Sequence, residues 1–255
     1  MSGSFLRWAR PLAAALVILA TWQAAGWLWA FPDYLLAPTE VAEAWGSNLD
    51  SGMGSAVLAT VLRAGAGFLL AALVALPLAT VAALLRPVAN VLEPYIGFFY
   101  SLPKISLFPV LVVWLGYSDS ARISMIAVSA FFPLYVYMYA GVRGINPGYL
   151  KVAANVGAGR TETFLRVVVP AVAPMAMVGV RVGVAVSLIV TFATEVIGQS
   201  PNGLGRLIQD GFTILSYEQM YASIVMYALI GVGVDLLLRA TTRNSPGIWG
   251  ETSRI

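Results

Sequence analysis

Apolar residues run long enough to cross a bilayer in six windows, at about 12–31, 56–85, 88–115, 123–141, 170–197 and 219–238, and polar residues collect between them. A helix of about 20 apolar residues spans the hydrocarbon core. The pattern therefore predicts an all-α membrane protein of about six spans, organised as a single domain over 1–255 with both termini on one side. Arg7 and Arg10 precede the first window in the manner of a signal peptide. The run continues to Trp27, Trp29 and Phe31, a set of interfacial aromatics, so a retained first helix is expected, with a cleaved signal as the alternative.

Two windows are irregular. The third is interrupted by Pro94, Pro103 and Pro109, with Lys104 between the last two. A broken helix at membrane depth needs neighbouring protein or a water-filled cavity to satisfy the freed backbone groups. Ser101, Pro103 and Lys104 are accordingly candidates to line a translocation path, against a plain kinked helix packing on its neighbours. The fifth window carries Gly179 and Gly183 four apart, a spacing that usually means close helix packing, with Arg181 between them and Glu195 near its far end. A charge at the bilayer centre costs about 2.5–3.5 kcal/mol on insertion scales, so both need partners or a purpose. At 14 residues apart they are separated by about 21 Å of helix and cannot pair within it. Glu195 is expected to meet Lys104 or Arg63, or to line the path. Arg181 is expected to pair with Glu93 or to snorkel, and, like Glu195, it is a candidate for a substrate or gating contact on the path.

Composition agrees with the windows. The 255 residues are 59% hydrophobic and 11% charged, with a mean hydropathy of +0.82, well outside the range of soluble domains. Cysteine and histidine are both absent, which removes disulfides and thiolate or imidazole metal sites. The net charge of +3 does not imply nucleic acid, because the cations follow topology. With the N-terminus inside, Arg7, Arg10, Arg86, Arg143, Lys151, Arg160, Arg166, Arg239, Arg243 and Arg254 fall on one flank and Arg122 and Arg206 on the other. That asymmetry places both termini in the cytoplasm. The loop from Pro32 to Gly54 holds Asp33, Glu40, Glu43 and Asp50 without a Lys or Arg, and Ala37-Pro38-Thr39-Glu40 looks like the start of a capped short helix outside the bilayer.

The most polar segment between spans, Tyr149 to Pro174, contains KVAANVGAGRTETFLRVVVP at 151–170. Val152, Ala153 and Val156 recur at roughly helical spacing, as do Phe164, Val167 and Val168, with Gly157 and Gly159 between the two sets. Two short amphipathic helices around a glycine turn suit something that docks. The segment resembles the cytoplasmic loop of permease subunits of binding-protein-dependent ABC importers, whose pattern is E-A-A-x3-G-x9-I-x-L-P. The second Ala falls on Ala153, the Gly on Gly157, the Ile and Leu on Val167 and Val169, and the Pro on Pro170. Lys151 and Val152 stand where the family often has Glu and Ala.

SLPKISLFPVLVVWLG at 101–116, with Trp114 and Gly116 at its end, and EVIGQSPNGLGRL at 195–207 are similar to the nitrate, taurine and alkanesulfonate branch. The resemblance covers nearly the whole chain. It implies the type I importer permease (MetI-like) fold with a cytoplasmic coupling helix at 149–169. The residues expected to dock on an ATPase are Lys151, Val152, Ala153, Gly157, Ala158, Gly159, Arg160 and Pro170. The implied partners are a second permease subunit, with a homodimer the commoner arrangement, two cytoplasmic ATPase subunits that bind ATP and Mg, and an extracytoplasmic substrate-binding protein. The implied location is the bacterial inner membrane.

No stretch fits G-x-x-x-x-G-K-[ST], so ATP hydrolysis must come from another polypeptide, and no cofactor, metal or nucleic acid is expected in this chain. The expected function is to form the path for a small anion such as an alkanesulfonate, taurine or nitrate. Two rivals are weighed. A proton-coupled secondary transporter could use Glu195 as its carrier, yet it leaves the glycine-turned loop without work. An intramembrane hydrolase could use a Ser101/Lys104 dyad, which shares a helix face only if Pro103 does not break it.

Overall fold

The structure is a computed structural model and describes residues 3–29, 31–32, 34–48 and 52–243. Every regular element among them is helical: α1 (Gly3–Trp29), α2 (Pro38–Asn48), α3 (Gly54–Leu84), α4 (Arg86–Ser101), a 3-10 turn at Lys104–Leu107, α5 (Phe108–Leu115), α6 (Asp119–Arg143), α7 (Pro147–Asn155), α8 (Arg160–Thr163), a π turn at Phe164–Val168, α9 (Val169–Ile197), α10 (Leu204–Thr213) and α11 (Tyr217–Arg243).

Among the described residues four helices are long and apolar enough to cross a membrane: α3, α6, the continuous run Arg160–Ile197, and Tyr217–Thr241 of α11. A fifth arises if α4 and the Lys104–Leu115 segment count as one span. These two are bent by 93° at the break. The apolar part of α1, Ala13–Leu28, is shorter. The fifth apolar window therefore begins ten residues earlier as a helix than its hydropathy alone suggests, because α8 and the π turn lead into α9 without a stop.

The 93° break follows from proline chemistry. Pro103 has no amide hydrogen to donate and forces Leu102 out of helical geometry, into the extended region at φ −71°, ψ 143°. Pro109 sits in the first turn of α5, where a missing donor costs nothing. Lys104 closes the gap. Its Nζ donates to Tyr100 O at 2.8 Å and Leu102 O at 3.5 Å, so an ammonium caps the C-terminal end of α4. The same ammonium lies 5.2 Å from the Tyr100 ring centre and 4.9 Å from that of Phe132.

The chain divides into two compact units, Met1–Leu58 with Pro201–Ala228, and Ala59–Ser200 with Leu229–Ile255. In the first, Glu40 Oε2 accepts from Ala37 N at 2.7 Å, so the expected cap at the start of α2 is made by Glu40 reaching back. Gly203, at φ +136°, adopts a conformation that only glycine takes readily, and it opens α10. Leu204 and Gly211 of α10 are buried, while Arg206 Nε pairs with Asp210 Oδ2 at 2.7 Å on its polar side.

In the second unit, small residues decide the packing. Ala71, Ala75, Ala79 and Ala82 make a buried stripe on α3 against Ala130, Leu134 and Tyr135 of α6. Glycines serve the same end between α6 and α9. A Cβ at Gly179 would lie 2.9 Å from Tyr137 Cβ, one at Gly183 3.1 Å from Leu134 Cγ, and one at Gly141 3.0 Å from Met175 Cβ. The spacing of Gly179 and Gly183 thus has the packing meaning that its pattern suggests.

Candidate functional site

Two regions of the second unit carry the polar chemistry: the helix–turn–helix at 147–168, and a cluster of charges joining α3, α6 and α9.

Asn146 starts α7 by accepting from Gly148 N at 2.8 Å, with Pro147 in the first turn. The helix stops two turns later. Ala158 N donates to Ala153 O at 3.0 Å and Gly157 N to Ala154 O at 3.1 Å, the paired bonds of a Schellman ending. The residue that must turn left-handed in that motif is Gly157, at φ +77°, with no described atom within 4 Å of where a Cβ would stand. Gly159, at φ −69°, is under no such demand and opens α8. Gly157 is therefore a conformational requirement and Gly159 is not.

This turn sets the two short helices at an angle and sorts their side chains. Ala153 is buried, as is Val168, beside Ala83, Val142 and Val172. Val152 and Val156 point outward, at 62% and 76% exposure, and Tyr149 and Leu165 are also exposed. Ala153 is buried while Val152 and Val156 are exposed, and all three line one side of α7. Lys151, Ala158, Gly159 and Arg160 lie on or near the surface, and Pro170 is in the first turn of α9. An open groove of about 700 Å3 runs along the exposed side, lined by Tyr149, Val152, Val156, Thr163, Arg166 and Val167 among others. A smaller one of about 360 Å3 lies on the other side, between Leu84, Val142, Leu150 and Phe164.

The charge cluster is built on Glu195, which is fully buried. Its Oε1 accepts from Arg63 Nη1 at 2.9 Å and from Thr60 Oγ1 at 2.9 Å, and its Oε2 from Thr60 Oγ1 at 3.0 Å. Of its two expected partners, the structure selects Arg63. Arg63 Nε continues to Asp119 Oδ1 at 2.9 Å, and Arg122 Nη1 meets the same oxygen at 3.1 Å. Arg122 Nη2 then caps the end of α9 through Gly198 O at 2.8 Å. Two arginines and two carboxylates balance, as buried charges must.

Arg181 does not reach Glu93. Its Nη2 meets Asp235 Oδ1 of α11 at 2.7 Å, and Asp235 Oδ2 also takes Arg239 Nε at 2.6 Å. The last expected group, Ser101, Pro103 and Lys104, is at the 93° break. Ser101 Oγ donates to Gly97 O at 3.1 Å, so Ser101 and Lys104 both direct their hydrogen bonds to backbone carbonyls, and no nucleophile–base pair forms. Thr60, Asp119 and Asp235 are the residues that sequence reasoning did not name, and Arg122 it placed only as a flanking charge. The one local signal was Asp119 three residues before Arg122, a helical neighbour.

Residues 67–244, well over half of the chain, match the family described as binding-protein-dependent transport system inner membrane component. The chain belongs to this family. It is a membrane-embedded permease component of an ABC transport system, with the all-helical MetI-like fold. It is 26% identical over 238 residues to a Bacillus subtilis protein named for aliphatic sulfonates transport, SsuC, covering 92% of this chain and 86% of that one. It is also 26% identical over 261 residues to the taurine transport system permease protein TauC of Escherichia coli, covering 96% and 94%. Among solved structures, the MetNI methionine ABC transporter in inward-facing conformations shares the fold, with a TM-score of 0.59 at 17% identity, covering 75% of this chain and 97% of that chain.

Proposed function

We propose that this chain forms the translocation path of an ATP-driven importer for a small anion, with an alkanesulfonate or taurine the first candidate. The observation that carries the reading is the 147–168 segment: a Schellman turn at Gly157 presenting exposed Val152 and Val156 over an open groove. Apolar side chains exposed beside Lys151, Arg160 and Arg166 at the end of membrane helices suit burial against a protein partner. That partner is a cytoplasmic ATPase, present in two copies and holding ATP and Mg, against which Lys151, Val152, Ala153, Gly157, Ala158, Gly159 and Arg160 dock. Pro170 starts the helix that carries the motion into the membrane. The cargo assignment is supported by the relatives named for sulfonates and taurine.

On this reading the chain works as one unit of about six spans, both termini are cytoplasmic as the Arg and Lys distribution implies, and two copies pair around the path. An extracytoplasmic binding protein delivers the cargo, so affinity resides there and the path itself needs few contacts. Arg181, half exposed beside Asp235 and Arg239, is the path cation of choice. Lys104 is less suited, since its ammonium is already spent on carbonyls and ring faces. The burial of Glu195 between Arg63 and Thr60 speaks against a proton carrier that must meet water on both sides.

The test is to tag the C-terminus, purify the complex from native membranes in mild detergent and identify what accompanies it. A stoichiometric ATPase, lost when Gly157 is made bulky, is the expected result. Recovery of the chain alone, moving solute in liposomes under a proton gradient, would overturn the proposal.

A further inference from the structure

The smaller groove beside the docking loop, of about 360 Å3, lies where three spans end. Leu84 is the last residue of α3, Val142 the last but one of α6, and Phe164 and Val168 are the first and last of the π turn that runs into α9. The lining also includes Leu150 and Ala154 of α7, four apart and so on one side of that helix. Val152 and Val156 line the larger groove instead. The two grooves differ in charge. The larger holds Glu162 and Arg166, paired at 3.1 Å. The smaller has Arg160 as its charged lining residue, exposed and without an ion pair among the described residues, and no carboxylate lines it there. Arg86 follows Leu84 by two positions and Arg143 follows Val142 directly, and both are likewise exposed and without an ion pair among the described residues.

We infer that the smaller groove holds one anionic phospholipid of the cytoplasmic leaflet, with an acyl chain against Leu84, Leu150 and Phe164 and the headgroup phosphate on Arg160. Each half of that ligand answers a feature of the groove. Leu84, Leu150 and Phe164 are exposed, and an acyl chain laid over them removes apolar surface from water. A guanidinium takes phosphate oxygens through paired N–H donors, and the anionic lipids of the cytoplasmic leaflet collect beside Lys and Arg at helix ends. An acidic protein segment could also satisfy Arg160, but at the level where spans end lipid is the bulk phase. Occupied in this way, the groove supports α7 from the side opposite Val152 and Val156. Only the cytoplasmic side of the loop is shared with the importer reading; the site does not depend on the cargo.

The experiment places the purified complex in nanodiscs containing equal parts phosphatidylglycerol and phosphatidylcholine, releases it and counts the retained lipids by native mass spectrometry. The unaltered protein should keep one phosphatidylglycerol per chain in preference to phosphatidylcholine. Arg160→Gln should lower that preference about fivefold, the worth of one basic residue at an anionic surface. Arg166→Gln, the same change of charge in the larger groove, should leave it unchanged, and Ala154→Trp, which fills the smaller groove, should lower retention of both lipids. Equal losses in the two arginine variants would mark a general attraction to basic surface and overturn the site. Equal retention of both lipids by the unaltered protein would overturn it too, as would full retention in Ala154→Trp. Leu150→Cys supplies a single cysteine to a chain that has none, and its cross-linking to the ATPase would give the groove to that partner and refute the lipid. The same spectra report ATPase stoichiometry, so loss of the lipid is separable from failure of the importer reading.

Discussion

Gly157 and Gly159 lie two residues apart in one exposed turn, and neither has a described atom within 4 Å of where a Cβ would stand. Adding the isopropyl group of valine to either places similar bulk in nearly the same place. Only the backbone separates them, φ +77° at Gly157 against −69° at Gly159. A non-glycine residue held left-handed costs about 1–3 kcal/mol, with β-branched side chains at the upper end. Taking about 2 kcal/mol, Gly157→Val shifts the balance away from the wound turn about 30-fold. The two closing bonds, Ala158 N to Ala153 O and Gly157 N to Ala154 O, are lost in the alternative conformers. Gly159→Val stays within about 0.5 kcal/mol, as surface substitutions do. Gly157→Asn should fall between, since asparagine tolerates the left-handed region. The assay is cargo uptake normalised to membrane-inserted protein, together with recovery of the ATPase on the tagged complex. Uptake and ATPase recovery should collapse in Gly157→Val, weaken in Gly157→Asn and persist in Gly159→Val. Equal losses in both valine variants would show that bulk at the docking face, and not turn conformation, sets the effect, and an active Gly157→Val would refute the reasoning altogether.

Glu195→Ala leaves Arg63 buried beside one shared carboxylate and should lower stability by about 3–5 kcal/mol, read as lost protein in the membrane and an earlier melting transition. Glu195→Gln keeps an acceptor for Thr60 and Arg63 and should be milder. Uptake by that variant should show the same pH dependence as the unaltered protein; a proton dependence abolished by Gln would revive the secondary-transport reading. Lys104→Met removes the ammonium cap from α4 and should cost about 1–3 kcal/mol in thermal stability. Unchanged stability with lost anion uptake would instead place Lys104 on the path.

Much of the fold was legible because one-dimensional signals set it. Apolar windows locate the long helices. Pro103 marks the break, and the spacing of Gly179 and Gly183 marks a close approach that the structure realises against Tyr137 and Leu134. The turn at Gly157 was legible for a related reason: a Schellman ending is local, so Ala153, Gly157 and Ala158 carry its whole geometry within six residues. Charge pairing was not legible in the same way. Lys104 and Arg63 were equal candidates for Glu195 by hydropathy, and what separates them is rotation about α3 and the local demand of two freed carbonyls at Tyr100 and Leu102. Arg181 likewise took Asp235, a residue from the last helix that no spacing connects to it. The consequence bears on mechanism. A charge in an apolar helix announces that a partner exists, but the competing backbone groups decide which charges remain available for cargo. By that criterion Lys104 and Glu195 are already satisfied by the fold, and Asp119, paired with two buried arginines, is the exposed member of its cluster.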